Sequence, residues 1–396
     1  MAQHSRGKIE TAVRVGLDNP DDLSRHYTPG VAEQAQRVAE DPAALRRETV
    51  KANSVAIVSD GSALLGLGDQ GPAAALPVME GKAALLKRFA DVDAWPICPL
   101  SRDPEDLIRT VRDLATSFGA INLEDIAAPR CFEIERRLRD ELDVPVFHDD
   151  QHGIAIVVLG ALHGALRLTE RKPANTTVVI SGAGAAGSAI ARLLLEAGYR
   201  DDGIVVCDSS GVLHPDRDLD GEKRWLAEHA NTGRRSGELR DALEGADVFV
   251  GVSVGGILDG ADLARMADRA IVFALANPEP EVDPRAAAEH AEVVATGRSD
   301  HPNQINNVLA FPGVFRGLLD SGAPTVTTGI QLAAAEALAG VAAGQLSAER
   351  IVPGVFDEEL VPAMALRGRR GRLTRGRGRR DHVRLAERGR RPAGGR

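Results

Sequence analysis

A chain of 396 residues, 43% hydrophobic and 27% charged, has the composition of a folded soluble protein and is long enough for two or three domains. With only 3% aromatics the core must rest on Ala, Val, Leu and Ile; the three cysteines (Cys98, Cys131, Cys207) are scattered without a CxxC pair, which argues against a disulfide framework or a zinc site. The net charge of −9 hides an asymmetry, because residues 367–396 hold thirteen arginines against Asp381 and Glu387, and so acidic a body is a poor nucleic-acid binder.

The opening MAQHSRGKIE lacks the apolar stretch of a signal peptide, and the longest apolar run, Ile154 to Leu162, is about half a membrane span. A cytoplasmic protein with no membrane partner is expected. Residues up to about Asn53 read as helical, interrupted by Thr28-Pro29-Gly30, a turn that fixes Tyr27 before a helix starting near Val31. SVAIVSDG and SALLGLGD read as two strands of a hairpin about Asp60-Gly61. Gly66, Gly68 and Gly71 match the dinucleotide fingerprint G-x-G-x-x-G, but Pro72 follows at once and no strand ends in an acid at the right distance. A glycine-rich turn is the better reading. LPVMEGKAALLKRFA is a helix with Lys82 near its start, facing that turn. DAWPICPL follows as a strand, then a helix with Ser101 as its cap and Glu105 behind it.

Two similar units come next. Ala120 to Leu123 is a strand followed by Glu124 and Asp125, then a helix with Ile134, Leu138 and Leu142 on one stripe. Pro145 to Phe147 is a strand followed by Asp149 and Asp150, then a long apolar helix. Acids at helix starts often serve only as caps. Two acidic pairs at equivalent strand ends favour a metal site instead: if the strands are neighbours, Glu124, Asp125 and Asp150 converge on one hard cation.

After Thr169 the pattern changes. Residues 176–180 form a buried strand, SGAGAAG (Gly182, Ala183, Gly184, Ala185, Ala186, Gly187) opens a helix, and IVVCD ends a second strand at Asp208, 21 residues past Gly187. Here the fingerprint has its full context, so a dinucleotide is expected, its pyrophosphate at the helix N-terminus and its ribose at Asp208. Further strands lead to Asn277, on the nicotinamide side, and to an amide-rich loop with Asn303, Gln304, Asn306 and Asn307. The predicted fold is α/β: an N-terminal α/β substrate and metal domain (1–152), then a Rossmann-type domain with a parallel sheet and closing helices (153–366). Residues 367–396 are expected to be an arginine-rich tail outside the fold, since glycine and mutual repulsion oppose ordering.

YTPGVA, SDGSALLGLGDQGP, LPVMEGKAALLKRFA, SFGAINLEDI, VFHDDQHG, SGAGAAG, ANPEPE and NQINNVLAFPG, in this order from about Arg6 to Leu366, resemble the short bacterial malic enzymes. The resemblance implies oxidative decarboxylation of malate to pyruvate and CO2 with NAD or NADP and Mg²⁺ or Mn²⁺. It places the metal ligands on Glu124, Asp125 and Asp150, the general base on Lys82, the general acid on Tyr27 and the lysine's partner on Asp149. Asn277 and Asn307 fall at the substrate and nicotinamide. It also implies a homodimer, with the helices around Tyr27 at or near the interface. Ala63 stands where the larger eukaryotic type has an arginine, Ile154 where a threonine is usual, and the tail replaces the usual last helix.

Chemically, neutral Lys82 takes the C2 hydroxyl proton, which requires burial and a metal cation to lower its pKa. Tyr27 protonates C3 of the enol. Asp208, with no basic residue between it and Asp216, favours NAD over NADP. Three alternatives are a malolactic conversion to lactate with retained NAD, an amino-acid dehydrogenase, and a non-catalytic nucleotide-binding protein derived from a malic enzyme.

Overall fold

The computed structural model describes residues 7–370. Four parallel strands, β1 (Ser54–Val58), β2 (Asp93–Ile97), β3 (Ala120–Leu123) and β4 (Val146–His148), form a sheet in the order β2-β1-β3-β4. The second sheet holds β5 (Val178–Ser181), β6 (Ile204–Asp208), β7 (Gly211–Val212), β8 (Val248–Gly251), β9 (Ala270–Ala274) and β10 (Ala291–Thr296). Its order is β10-β9-β8-β5-β6-β7, parallel except for the short β7. The order reverses at β5, between β6 and β8, which opens a ligand crevice at the carboxyl ends there.

Helices α1 (Pro20–His26), α2 (Val31–Glu40) and α3 (Pro42–Glu48) precede the first sheet, and α4 (Pro72–Ala90), α5 (Pro104–Leu114) and α6 (Arg130–Glu141) cover it. The long α7 (Ile154–Leu168) leads to the second sheet, with α8 (Ala185–Glu196), α9 (Gly221–His229) and the short α10 (Leu239–Ala242), α11 (Gly260–Leu263) and α12 (Pro284–Ala288). Three helices close the chain: α13 (Phe311–Ser321), α14 (Thr328–Ala342) and α15 (Leu360–Arg370).

The core follows the period-two rule of buried parallel strands. Val55 and Ile57 of β1 share one cluster with Met79, Ala83 and Leu86 of α4, whereas Ala56 and Val58 face Leu107, Val111, Ile134 and Leu138 on the other side. The first cluster runs on through Ile156 and Leu159 of α7 to Val178 and Ile180 of β5, so the two sheets share one continuous core. Residues 149–168 are long and apolar enough to cross a membrane, but 78% of that window is buried inside the molecule. Gly160 shows why: a Cβ there would lie 2.7 Å from Leu338 Cδ2, so α7 and α14 cross at close range. Phe147 of β4 meets Phe315 of α13 edge-on at 5.3 Å, worth ~1 kcal/mol beyond its burial. This contact returns the C-terminal helices to the first sheet.

Several sequence expectations are corrected. No hairpin forms at Asp60-Gly61; β1 ends at Val58, and residues 64–66 make a tight 3-10 turn with Leu65 at φ +46°. Gly61 packs against the Gly71 carbonyl, where a second strand could not run. The helix carrying Lys82 starts at Pro72, one turn earlier than expected, so Lys82 is mid-helix, with its ammonium on Asp149. The cap of α5 is Asp103, whose carboxylate accepts from Glu105 and Asp106 N–H, while Ser101 bonds Asp106 instead. The last helix continues to Arg370, four residues into the expected tail, and the remainder of that tail lies outside the described residues.

Candidate functional site

Strands β3 and β4 are neighbours, with Leu123 opposite His148, so the residues that follow each strand emerge side by side. Past β3, Asp125 adopts φ +53° and its N–H donates to Asp150 Oδ2 at 2.8 Å. Past β4 the chain enters a single π-helical turn, Asp149–Gly153, before α7 begins. Such wide turns re-aim side chains, and this one directs consecutive acids to different tasks. Asp149 folds back over the turn, and a Cβ at Gly153 would sit 2.0 Å from its Oδ1, so any larger residue there would displace the Asp149 carboxylate. Carboxylate oxygens of Glu124, Asp125 and Asp150 all lie within 4.8 Å of one another.

Lys82 reaches this cluster from α4. Its ammonium is bonded to both Glu124 and Asp149, with the Phe311 ring 4.6 Å away. Asn307 Nδ2 donates to Asp149 Oδ2 at 2.9 Å, and Asn122 Nδ2 to Glu124 Oε2 at 2.8 Å. The acids outnumber the cation. Burial, then the neighbouring acids against the pull of Lys82, holds Glu124 well above the ordinary carboxylate range. Burial and Asp150 push Asp125 up to about 7, and burial raises Asp150 too. Asp125 Oδ2 is buried without a hydrogen-bond partner. An all-oxygen set with excess negative charge and an orphaned lone pair fits a hard divalent cation. Without a cation among the acids, the protonation of Lys82 is set by burial and its two carboxylate partners. Burial alone would lower its pKa, but Asp149 and Glu124 together outweigh burial and raise it.

In the second sheet each fingerprint glycine has its own task. Gly182, at φ +118°, packs on the Val252 carbonyl, and a Cβ on Gly187 would lie 1.8 Å from Gly182 O, so helix and strand touch there. Gly184 faces open space, the vacancy a pyrophosphate needs at the start of α8. Ala183, Ala185 and Ala186 are half-buried around it.

Asp208 lies at the end of β6 as expected, but it is not alone. Arg217 and Lys223 both bond its carboxylate. Burial raises its pKa, and Lys223, the Ser210 N–H and Arg217 together bring it below the ordinary range. No Lys or Arg lies between Asp208 and Asp216, but Arg217 and Lys223, beyond that stretch in sequence, reach the carboxylate in space.

Asn277 is exposed past the end of β9, its carbonyl against Gly66, where a Cβ would come within 2.5 Å. The glycine-rich turn of the first half thus touches the segment that follows β9 in the second. Lys82, Asp149, Asn307 and the three acids come together; Tyr27 does not join them. It caps α1, is 65% exposed, and its hydroxyl bonds none of them. Sequence reasoning missed Asn122, Phe311, Arg217 and Lys223. Asn122 had a signal, since it precedes Glu124 by two on an extended strand and therefore shares its side.

Two family descriptions match the chain: malic enzyme, N-terminal domain, over residues 6–103, and malic enzyme, NAD binding domain, over residues 151–362. An NAD-dependent malic enzyme of Geobacillus stearothermophilus is 52% identical over 362 residues, covering 90% of this chain and 75% of the relative. A bifunctional malic/malolactic enzyme of Bacillus subtilis (strain 168) is 49% identical over 365 residues, 91% of this chain and 88% of the relative. Relatives named NADP-dependent malic enzymes also match, at 41–45% identity. The crystal structure of an NAD-dependent malic enzyme from Thermotoga maritima superposes with a TM-score of 0.88 at 47% identity, covering 92% of this chain and 96% of that one. Fold, fingerprint, acid cluster and relatives agree: the chain belongs to the malic enzyme family.

Proposed function

We propose that the chain catalyses oxidative decarboxylation of malate to pyruvate and CO2, with NAD or NADP as hydride acceptor and Mg²⁺ or Mn²⁺ held by Glu124, Asp125 and Asp150. The observation that carries this reading is Lys82 held between Glu124 and Asp149 beside three converging acids. When bound, the divalent ion supplies a Lewis acid for the C2 oxygen and for the enolate left by CO2 loss, and the dinucleotide accepts the hydride. Lys82 is placed to take the C2 hydroxyl proton, a role that asks for its neutral form. A cation among the acids acts in that direction, by countering the two carboxylates that raise its pKa. Asp149, fixed by Asn307, orients Lys82. Tyr27 is assigned protonation of C3, so that the proton lost from the hydroxyl is balanced by one gained at carbon. Asn277 and Asn307 serve the substrate and nicotinamide. Malate with the dinucleotide, with and without Mn²⁺, should give equal amounts of pyruvate and reduced dinucleotide only with the metal. Lactate without free reduced dinucleotide would mean a malolactic enzyme, and full activity with chelator would remove the metal site.

The division into residues 1–152 and 153–366 follows the two sheets. A homodimer is proposed from the N-terminal segment. Neither α1 nor α2 buries a single residue, and Val13, Leu17, Leu23, Tyr27 and Val31 are exposed. A second copy would cover them, and it offers a route for Tyr27 to reach a site. A monomeric mass by light scattering in a fully active sample would refute this. Free Cys98, Cys131 and Cys207 suit a reducing, cytoplasmic setting.

A further inference from the structure

The ribose end of the dinucleotide site holds more cation than its single acid needs. An ionised carboxylate offers about four lone-pair sites. At Asp208 all four are engaged. Oδ1 accepts from Ser210 N–H at 2.9 Å and Arg217 Nη2 at 2.9 Å, and Oδ2 from the same Nη2 at 3.0 Å and Lys223 Nζ at 2.8 Å. A ribose 2′-hydroxyl can reach this carboxylate only by displacing one donor.

The donors differ in how firmly they are held. Ser210 N–H belongs to the tight turn before β7, and Arg217 is tied by its Nη1 to the carbonyls of Gly211 and Val212 at 3.1 and 2.9 Å. Among the described hydrogen bonds Lys223 Nζ has Asp208 alone, and its side chain is 41% exposed. Lys223 is the donor free to swing. Its backbone is nonetheless fixed. The Arg192 guanidinium lies 3.4 Å over the Trp225 ring and bonds both oxygens of Glu222 at 2.5 and 2.9 Å, which docks α9 on α8. Helix α8 is the one that opens at the fingerprint glycines, so phosphate turn and lysine share one support.

Two cations against one acid leave a net positive charge where a Rossmann fold meets the ribose 2′ position. We propose that Arg217 and Lys223 are specificity-determining residues that bind the 2′-phosphate of NADP, so that the chain uses both dinucleotides, with Asp208 keeping NAD competitive. Lys223 leaves Asp208 to meet the phosphate, while Arg217 remains between carboxylate and phosphate as a shared donor. The proposal rests on the dinucleotide-binding part of the malic enzyme reading and not on malate chemistry.

Binding fragments without nicotinamide separate the two. Calorimetric titration of the full chain with ADP-ribose and with 2′-phospho-ADP-ribose, at low and at raised salt, reads the ribose site without turnover. The wild type should bind both within about tenfold of each other, and the phosphorylated ligand should weaken more with salt. Lys223→Gln should weaken 2′-phospho-ADP-ribose by roughly tenfold or more, the usual worth of a hydrogen bond to a charged group, and leave ADP-ribose within about threefold. Asp208→Asn should shift preference towards the phosphorylated ligand by a similar factor. Unchanged 2′-phospho-ADP-ribose affinity in Lys223→Gln, or a wild type that binds only ADP-ribose, overturns the proposal. Failure of both ligands to bind would overturn the dinucleotide site itself, whereas normal binding without malate turnover would count only against the catalytic reading.

Discussion

Two carboxylate sites stand at strand ends in this molecule, one on each sheet, and their charge balances are opposite. Beyond β3 and β4, Glu124, Asp125, Asp149 and Asp150 stand around one ammonium, Lys82, which bonds only Glu124 and Asp149; burial with repulsion from neighbouring acids holds Glu124 and Asp125 above the ordinary range, and burial raises Asp150. Beyond β6, Asp208 is paired with both Arg217 and Lys223 and lies below that range despite the burial that opposes it. The backbone position is the same in both, the carboxyl end of a parallel strand. What a strand-end acid can do is therefore set by the cations around it. Acids short of positive charge call for a metal; an acid with a surplus leaves room for another anion.

The sharpest way to break the comparison is to take one charge from the acidic side. Asp150→Asn should lower turnover by on the order of a thousandfold, since a Lewis acid contributes several kcal/mol to such a step. ADP-ribose affinity at the other sheet should be unchanged. Stability adds an independent sign. With chelator the variant should melt at or above the wild-type temperature, because one repelling charge is gone. With Mn²⁺ only the wild type should gain, by ligand linkage. A variant that is active, or that melts well below wild type in chelator, would show that these acids form no metal site.

Removing the cation tests the same side from the opposite direction. Lys82→Met should lower turnover by about 10²–10⁴-fold through loss of the general base. It also leaves Glu124 and Asp149 buried without their partner, a change that costs roughly 3–5 kcal/mol when a buried pair is broken. Mn²⁺ should restore part of that stability without restoring turnover. Wild-type stability in chelator would show that Lys82 is not the counter-charge of the cluster.

The contrast explains what could be read from the sequence. Both sites were legible as strand–turn–helix patterns, because buried parallel strands are short apolar runs and the acids follow them directly. Adjacency of β3 and β4 was an assumption, and the register between Leu123 and His148 supports it. The partners were less legible. Lys82 reaches Asp149 across 67 residues and Asn307 reaches it across 158, which only the resemblance could suggest. Arg217 and Lys223 lie on a loop and a helix whose path no periodicity specifies. The supposed hairpin failed for a related reason: the alternation through SALLGLGD is equally compatible with a tight turn once Gly61 closes on Gly71.

Glycines divide the nucleotide side into frame and vacancy. Gly184→Val should keep the fold, since a Cβ there meets nothing within 4 Å. It should weaken ADP-ribose by about tenfold or more, because the added bulk stands where the pyrophosphate approaches the α8 N-terminus. Gly187→Ala should instead damage the fold, with its Cβ 1.8 Å from the Gly182 carbonyl. Thermal melting and fragment binding should therefore separate the two variants. Equal loss of stability in both would mean that Gly184 is structural and the vacancy has another use.

The smallest expected effect lies at the support beneath Lys223. Arg192 is partly exposed, so its pair with Glu222 is screened, and its contact with Trp225 is worth ~1 kcal/mol at such a site. Arg192→Ala should lower the melting temperature by only about 1–2 °C, because the unfolding entropy grows with length and ~1 kcal/mol moves a 396-residue chain little. Its informative effect is on the balance of ligands. Without the clasp α9 is held less tightly, and Lys223 must be ordered when a 2′-phosphate binds, an entropy cost the wild type has already met. Affinity for 2′-phospho-ADP-ribose should fall about two- to threefold, while ADP-ribose, which draws little on Lys223, should hold. In Arg192→Ala/Lys223→Gln the two effects should not add, because the clasp acts through the lysine it positions. Full additivity for the phosphorylated ligand would mean that Arg192 meets the phosphate itself and that the clasp with Trp225 is only packing.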